Sequence, residues 1–468
     1  MTDGIPNFLS IAEAARLIAT KKLSPVELTR AMLQRIAAAD PKLNAFLLVT
    51  ERQALAAARA AERAVMAGDR RPLLGIPVAY KDIYETAGVR TTAHSRILAE
   101  NVPAHDAETV RRLHAAGTVM LGKLATHEFA IGGPATDLPW PPARNPWDTR
   151  RYTGGSSSGS GAAVAAGLAF GALGSDTGGS IRLPAAYCGI AGLKPTPGLV
   201  SRRGVIPLAP SLDTAGPMAW TAQDCAILLD ALAGHDAADP ASVPGPAISY
   251  ARSLDAPLKG LRVGLLRRFY EHDLPATPET LQMMSRTAAT LRQLGCRVEE
   301  ATLPPVQDYN AVGRVIICAE AYALHEPTLR TRLSEYSRVF RIRVLAGALI
   351  RAADYIAAQR RRTDLIAATA KVLEKFDVLI TAPVPGPAPL LSEQRPDDGF
   401  SRPLLTTVAN VAAVPSLVVC GGFTATGLPL GLEIIGRPWE DATVLRVGHQ
   451  FEQAAGTRTR RPPALWGT

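Results

Sequence analysis

The chain has 468 residues, of which 47% are hydrophobic and 20% charged, and a formal net charge of +9. Such a composition buries a large core and excludes a disordered or fibrous protein. The basic balance admits nucleic acid or a membrane surface as partner, but the arginines are scattered, with only short runs such as Arg360 to Arg362, and read as a solvated surface.

The five cysteines, Cys188, Cys225, Cys296, Cys318 and Cys420, are odd in number and widely spread, which fits a reducing compartment and not a disulfide scaffold. No C-x-x-C pair and no H-E-x-x-H motif is present, so neither metal nor cofactor is expected. Met1 to Ser10 lacks the basic and apolar regions of a signal peptide. The apolar stretch Gly161 to Leu173 is too short for a bilayer span, and Leu404 to Phe423 is broken by Asn410 and Pro415. A cytoplasmic protein without membrane contact is the expectation.

In chain order, residues 1–70 read as a helical layer. Ser10 with Glu13 and Ser24 with Glu27 form capping boxes, the second with Pro25 at the first helical position. From residue 71 to 468 the pattern becomes that of a core, one compact unit with the layer packed on it. Ile76 to Tyr80 is a strand, Asp106 caps a helix ending at Gly117, and Thr118 to Leu121 is the next strand. Two glycine-rich turns, Gly154 to Gly161 and Thr177 to Ser180, bracket a helix of small residues. Gly234 to Ala256 is a surface excursion. Leu261 to Leu265, Asp377 to Ala382 and Ser416 to Val419 read as strands, Thr277 to Leu294 and Thr443 to Gln453 as helices, and 310–375 as mainly helical. This alternation predicts an α/β fold with a large mixed, mostly parallel sheet covered by helices on both faces.

Three segments concentrate the chemistry: Gly75 to Asp82, Gly154 to Gly159 and Gly174 to Arg182. Alone, each has a plain reading: a strand-end lysine, a flexible Ser/Gly loop, a tight turn. Together they supply a hydroxyl nucleophile, a base and glycine-shaped backbone donors, the parts acyl transfer needs. In this order they resemble the signature of the amidase-signature enzymes, and the likeness runs from the N-terminal helices through Gly189 to Thr196 and on to Gly427 to Pro438.

That resemblance implies Ser180 as the acylated nucleophile, Ser156 as a bridging serine preceded by a cis peptide bond, and Lys81 as the base. A lysine at its ordinary pKa of about 10.4 is protonated at neutral pH, so the role demands burial. Backbone N–H groups of Thr177, Gly178, Gly179 and Ser180 are the implied oxyanion hole, with Ser157, Asp176 and Arg182 in support. The implied activity is hydrolysis of a carboxamide C–N bond in a small-molecule amide through a seryl acyl-enzyme, releasing ammonia or an amine, with a homodimer as the common assembly among relatives. The alternatives are a urea- or carbamate-type hydrolase, or the glutaminase (A-type) subunit of a tRNA-dependent amidotransferase, the one case in which nucleic acid becomes a partner. That subunit's Gly-Gly-Ser-Ser-Gly-Gly-Ser run departs from this chain at Ser158.

Gly155 to Gly159 also matches G-x-S-x-G, which would make Ser157 a nucleophile at an elbow, but polar Asn145 to Arg150 replaces the required strand. A phosphate loop lacks its G-K-[ST]. His94, His114 and His127 sit in no triad spacing, although His127-Glu128-Phe129 is placed near the pocket by the resemblance. Trp140, Tyr187, Tyr355 and 310–350 are candidates for the pocket wall.

Overall fold

A computed structural model describes residues 8–396, 398 and 402–463. Eleven strands form a single sheet. They are β1 (Phe46–Val49), β2 (Pro77–Lys81), β3 (Val119–Leu124), β4 (Gly171–Asp176), β5 (Ala191–Lys194), β6 (Thr214–Ala219), β7 (Arg262–Leu265), β8 (Arg297–Glu300), β9 (Val378–Thr381), β10 (Ser416–Phe423) and β11 (Pro429–Gly436). Their order across the sheet is β1-β3-β2-β4-β6-β5-β10-β11-β9-β7-β8. Every residue of β2, β3 and β4 is buried, which requires cover on both faces of the sheet.

The sheet is mixed, as expected, but mostly parallel pairing is not what it shows. Parallel pairs are confined to two blocks, β3-β2-β4 and β9-β7-β8, and the remaining pairings are antiparallel. Part of the reason is β6, whose Thr214-Ala-Gly-Pro-Met-Ala sequence has weak strand propensity. It nonetheless runs antiparallel between β4 and β5, where Gly216 leaves room for the carbonyl of Leu193, 2.2 Å from where a Cβ would stand. The hairpin of β10 and β11 then continues the antiparallel centre.

The N-terminal segment is not helical throughout. Its helices Ile11–Ala19, Pro25–Leu43 and Glu51–Met66 flank β1, which adds an edge strand to the core sheet by pairing with β3. Ser10 and Glu13 form the expected capping box, whereas Ser24 accepts from the N–H groups of Val26 and Glu27 and its hydroxyl turns to Glu62. The helix after β2 begins at Glu108, because Asp106 accepts instead from the N–H of Ala87 at 2.8 Å.

The parallel block places the C-terminal ends of β2 and β4 side by side, with Tyr80 opposite Leu173. Lys81 ends one strand and Asp176 the other. The crevice beyond the carboxyl ends of such strands is where α/β sheets gather their ligands. Disturbing the β1 edge is expected to cost stability without reaching the crevice: Leu48→Asp should lower the melting temperature by several degrees while the folded spectrum persists below it, as measured by thermal unfolding followed by circular dichroism.

Candidate active site

Lys81 is completely buried, and its Nζ donates to Ser156 Oγ at 2.7 Å and to Ser175 Oγ at 2.8 Å. Burial strips the ammonium of water and pushes the lysine down to about 7, against the opposing pull of Asp176 and Asp213. Near neutral pH a substantial share of the amine is therefore neutral and able to accept a proton. Burial alone does not mark the residue out, since Lys123 and Lys194 are as deeply placed. Lys123 faces Asp82 at 3.6 Å and the hydroxyl of Thr91, and Lys194 donates to the carbonyl of Pro195. Lys81 is bonded to two serine hydroxyls, and one of them, Ser156, reaches the cavity that also holds Ser180.

That cavity, about 520 Å³, is lined by Ser156, Thr177, Gly178 and Ser180. The Gly155–Ser156 peptide bond is cis. His127 holds this turn in place, with its N–H donating to the carbonyl of Ser156 at 3.1 Å and its ring so close to Gly155 that a Cβ there would lie 2.1 Å from it. The N–H of Ser157 donates to the carbonyl of Ser180 at 3.2 Å, tying the two glycine-rich turns together. The helix Ser158–Ala165 starts immediately afterwards, and Gly159 allows it to press on the main chain of Ala45 and Ala125.

Asp176 and Arg182 hold the second turn. Arg182 donates to Asp176 from Nη2 at 2.8 Å and Nε at 3.0 Å, to Glu433 at 2.6 Å, to Asn410 Oδ1 at 2.6 Å and to the carbonyl of Thr406 at 2.7 Å. Both side chains are fully buried. Burial pushes the Asp176 carboxyl up, but the guanidinium outweighs it and holds the acid at about 2. The same carboxylate accepts from the N–H groups of Gly179 at 2.8 Å and Ile181 at 3.1 Å. One of the four expected oxyanion donors is corrected here: the Gly179 N–H is already taken by Asp176, while Thr177, Gly178 and Ser180 line the cavity. Gly179 has φ +130°, and a Cβ would stand 2.1 Å from Thr406 Oγ1, so glycine serves packing at this position.

Ser157 does not reach the cavity wall. Its fully buried hydroxyl lies 3.3 Å from both the N–H and the carbonyl of Ser175, a structural clasp on β4. His127, left outside the expected catalytic set, lines the cavity, stacks on Tyr152 with centroids 5.9 Å apart, and is driven down to about 3 by burial, with Lys81 adding to the effect. It is a neutral imidazole near neutral pH. Of the wall candidates, Tyr187 and several residues of 310–350 line the cavity, whereas Trp140 and Tyr355 lie elsewhere, the latter donating to Glu320. Sequence reasoning missed Arg314, Arg343, Arg395 and Arg402 as individual wall residues, because scattered arginines carry no spacing signal. Among the described residues no three His, Cys, Asp or Glu side chains come together to hold a metal ion, and no helix is long and apolar enough to cross a membrane.

The sequence matches the Amidase family over residues 27–445. It is 40% identical over 479 residues to the A subunit of glutamyl-tRNA(Gln) amidotransferase from Geobacter metallireducens, covering 97% of this chain and 98% of that protein. Among solved structures, one described as a vestigial protein complex bearing on the origins of an s-triazine catabolic enzyme superposes with a TM-score of 0.89 at 33% identity, covering 96% of this chain and 99% of the other. The peptide amidase of Stenotrophomonas maltophilia superposes with a TM-score of 0.83 at 33% identity, covering 97% and 98%.

Replacing Arg182 by Leu strands the carboxylates of Asp176 and Glu433 in the core, and is expected to cost about 3–5 kcal/mol in denaturant unfolding. The lysine sets a pH profile. With Lys81 at about 7, kcat/KM for an uncharged amide should rise with pH through that value and level off above it, since the protonated amine present at lower pH cannot accept a proton.

Proposed function

The chain belongs to the Amidase family, and from that premise we propose that it hydrolyses a carboxamide through an acyl-enzyme on Ser180. The observation that carries this reading is the buried Lys81 bonded to Ser156, a serine that lines one cavity together with Ser180. Neutral Lys81 draws a proton through Ser156 from Ser180, whose oxygen attacks the amide carbon. The N–H groups of Thr177, Gly178 and Ser180 stabilise the oxyanion. The proton then returns through Ser156 to the departing nitrogen, the C–N bond breaks, and ammonia or an amine leaves. Water repeats the sequence on the ester and frees the acid.

For the substrate, the reading best supported is the A-type one: a small primary amide that carries a carboxylate, glutamine being the natural example, with partner subunits receiving the ammonia. Full-length likeness, at 40% identity, to the A subunit of the amidotransferase supports it over the stand-alone amidase that the sequence suggested first. The cavity wall adds independent support, because four arginines, Arg314, Arg343, Arg395 and Arg402, line it beside one acid, Asp398, which lies 3.4 Å from Arg402 Nε. Arginine pairs with carboxylates through two parallel hydrogen bonds. A second reading, an amidase that works alone, is favoured by Ser158, which stands where the amidotransferase signature has glycine.

Ammonia release from a panel of small amides including glutamine, with and without co-expressed partner subunits, separates the two readings. Turnover of glutamine that rises with partners supports the first; turnover of several amides without them supports the second. Ser180→Ala should lower turnover by about 10³-fold or more, Lys81→Ala nearly as much, and Ser157→Ala should leave readily measured activity. Release unaffected by Ser180→Ala would overturn both readings.

A further inference from the structure

Part of the cavity wall is made by two segments that meet at a buried carboxylate. The first is the loop from His127 to Leu138, in which Phe129 and Ala130 stand at positive φ, +46° and +63°, conformations side chains adopt only when their surroundings enforce them. The second is the short helix Arg338–Leu345, which carries Arg343 into the cavity.

Glu128, 2% exposed, joins them. One carboxylate oxygen accepts from the Ser95 hydroxyl at 2.5 Å and the other from the N–H of Ser337 at 2.9 Å. Ser337 is the N-cap of the arginine-bearing helix, and its own hydroxyl accepts from the N–H of Phe340 at 3.1 Å. One residue further on, Asp137 accepts from the N–H of Arg338 at 2.8 Å. Two carboxylates from the loop thus hold the first N–H groups of the helix, the end where negative charge is most favourable.

Apolar contacts fix the same docking. Phe129 lies against Phe340 with centroids 5.6 Å apart, Ala135 and Leu138 cluster with Val339, and Gly132 admits Val339 so closely that a Cβ would lie 2.7 Å from it. One turn after Val339, the guanidinium of Arg343 donates from Nε to the carbonyl of Pro396 at 2.9 Å. Any rotation or slide of this helix on its bed moves Arg343 within the cavity, and the two carboxylates oppose such movement.

We propose that Glu128 is a positioning residue which, through the N–H of Ser337, sets the place of Arg343 in the cavity and thereby the preference for amides that carry a carboxylate. The inference rests on the carboxylate reading given above and adds to it a residue that touches neither the substrate nor the reacting atoms.

The test compares kcat/KM for glutaramate with that for pentanamide, which differs in having a methyl group where glutaramate has its carboxylate. The wild-type ratio should favour glutaramate, and Arg343→Met should remove that preference. Glu128→Ala should lower the ratio about tenfold, the size of one displaced charge-assisted contact, through KM for glutaramate, and Glu128→Gln, which keeps an acceptor for Ser337, should restore most of it. If Arg343→Met removes the preference while Glu128→Ala leaves the ratio unchanged, the positioning role is overturned and the carboxylate reading stands. Absence of preference in the wild type overturns both. Should Glu128→Ala fail to fold, Asp137→Ala, at the exposed end of the same docking, must lower the ratio in the same direction, and an unchanged ratio there also overturns the proposal.

Discussion

The guanidinium of Arg182 is the point on which the site depends. It is fully buried and reaches Asp176 at the end of β4, Glu433 in the middle of β11, and Asn410 and Thr406 in the segment leading to β10. Distant parts of the chain are thereby fixed to one planar group, with Ser416 adding a hydroxyl to Glu433 at 2.7 Å. The turn that carries Ser180 runs between Asp176 and Arg182, so its backbone is set from both ends. Buried charge is costly unless fully paired, and here the pairing also shapes the backbone donors of the cavity.

The second constraint is the dryness around Lys81. The same burial that makes a charged lysine expensive gives the cavity an amine that can accept a proton near neutral pH. Asp176 sits in both arrangements: its negative charge opposes the downward shift of Lys81, while its carboxylate orders the serine turn.

Much of this was legible in the sequence, and the parts that were not have physical causes. The three glycine-rich or strand-end segments stood out by residue type alone, and the fold shows what those types serve: Gly155 faces the ring of His127, Gly159 the main chain of Ala45 and Ala125, and Lys81 ends a buried strand. The first helix followed from the cap at Ser10, and the helix read as Thr277 to Leu294 is Pro278–Gln293, with Thr277 as its cap. Strand β6 and the antiparallel centre were not legible, since a Gly-Pro strand owes its conformation to its neighbours and not to propensity. The short edge strand β1 was hidden among helices for the same reason. The commitment of the Gly179 N–H to Asp176 depends on a carboxylate three residues earlier folding back onto the turn, which spacing alone does not distinguish from a free donor. The arginines of the cavity wall come from distant segments that only the fold assembles.

The central claim is that the acyl group is carried by Ser180, with Ser157 serving only as a clasp on β4. The most direct measurement is peptide mapping by mass spectrometry after treatment with a serine-directed fluorophosphonate. The account predicts a single adduct on Ser180, greatly slowed when Lys81 is replaced. An adduct on Ser157, or labelling of Ser180 that proceeds equally fast without Lys81, would contradict it.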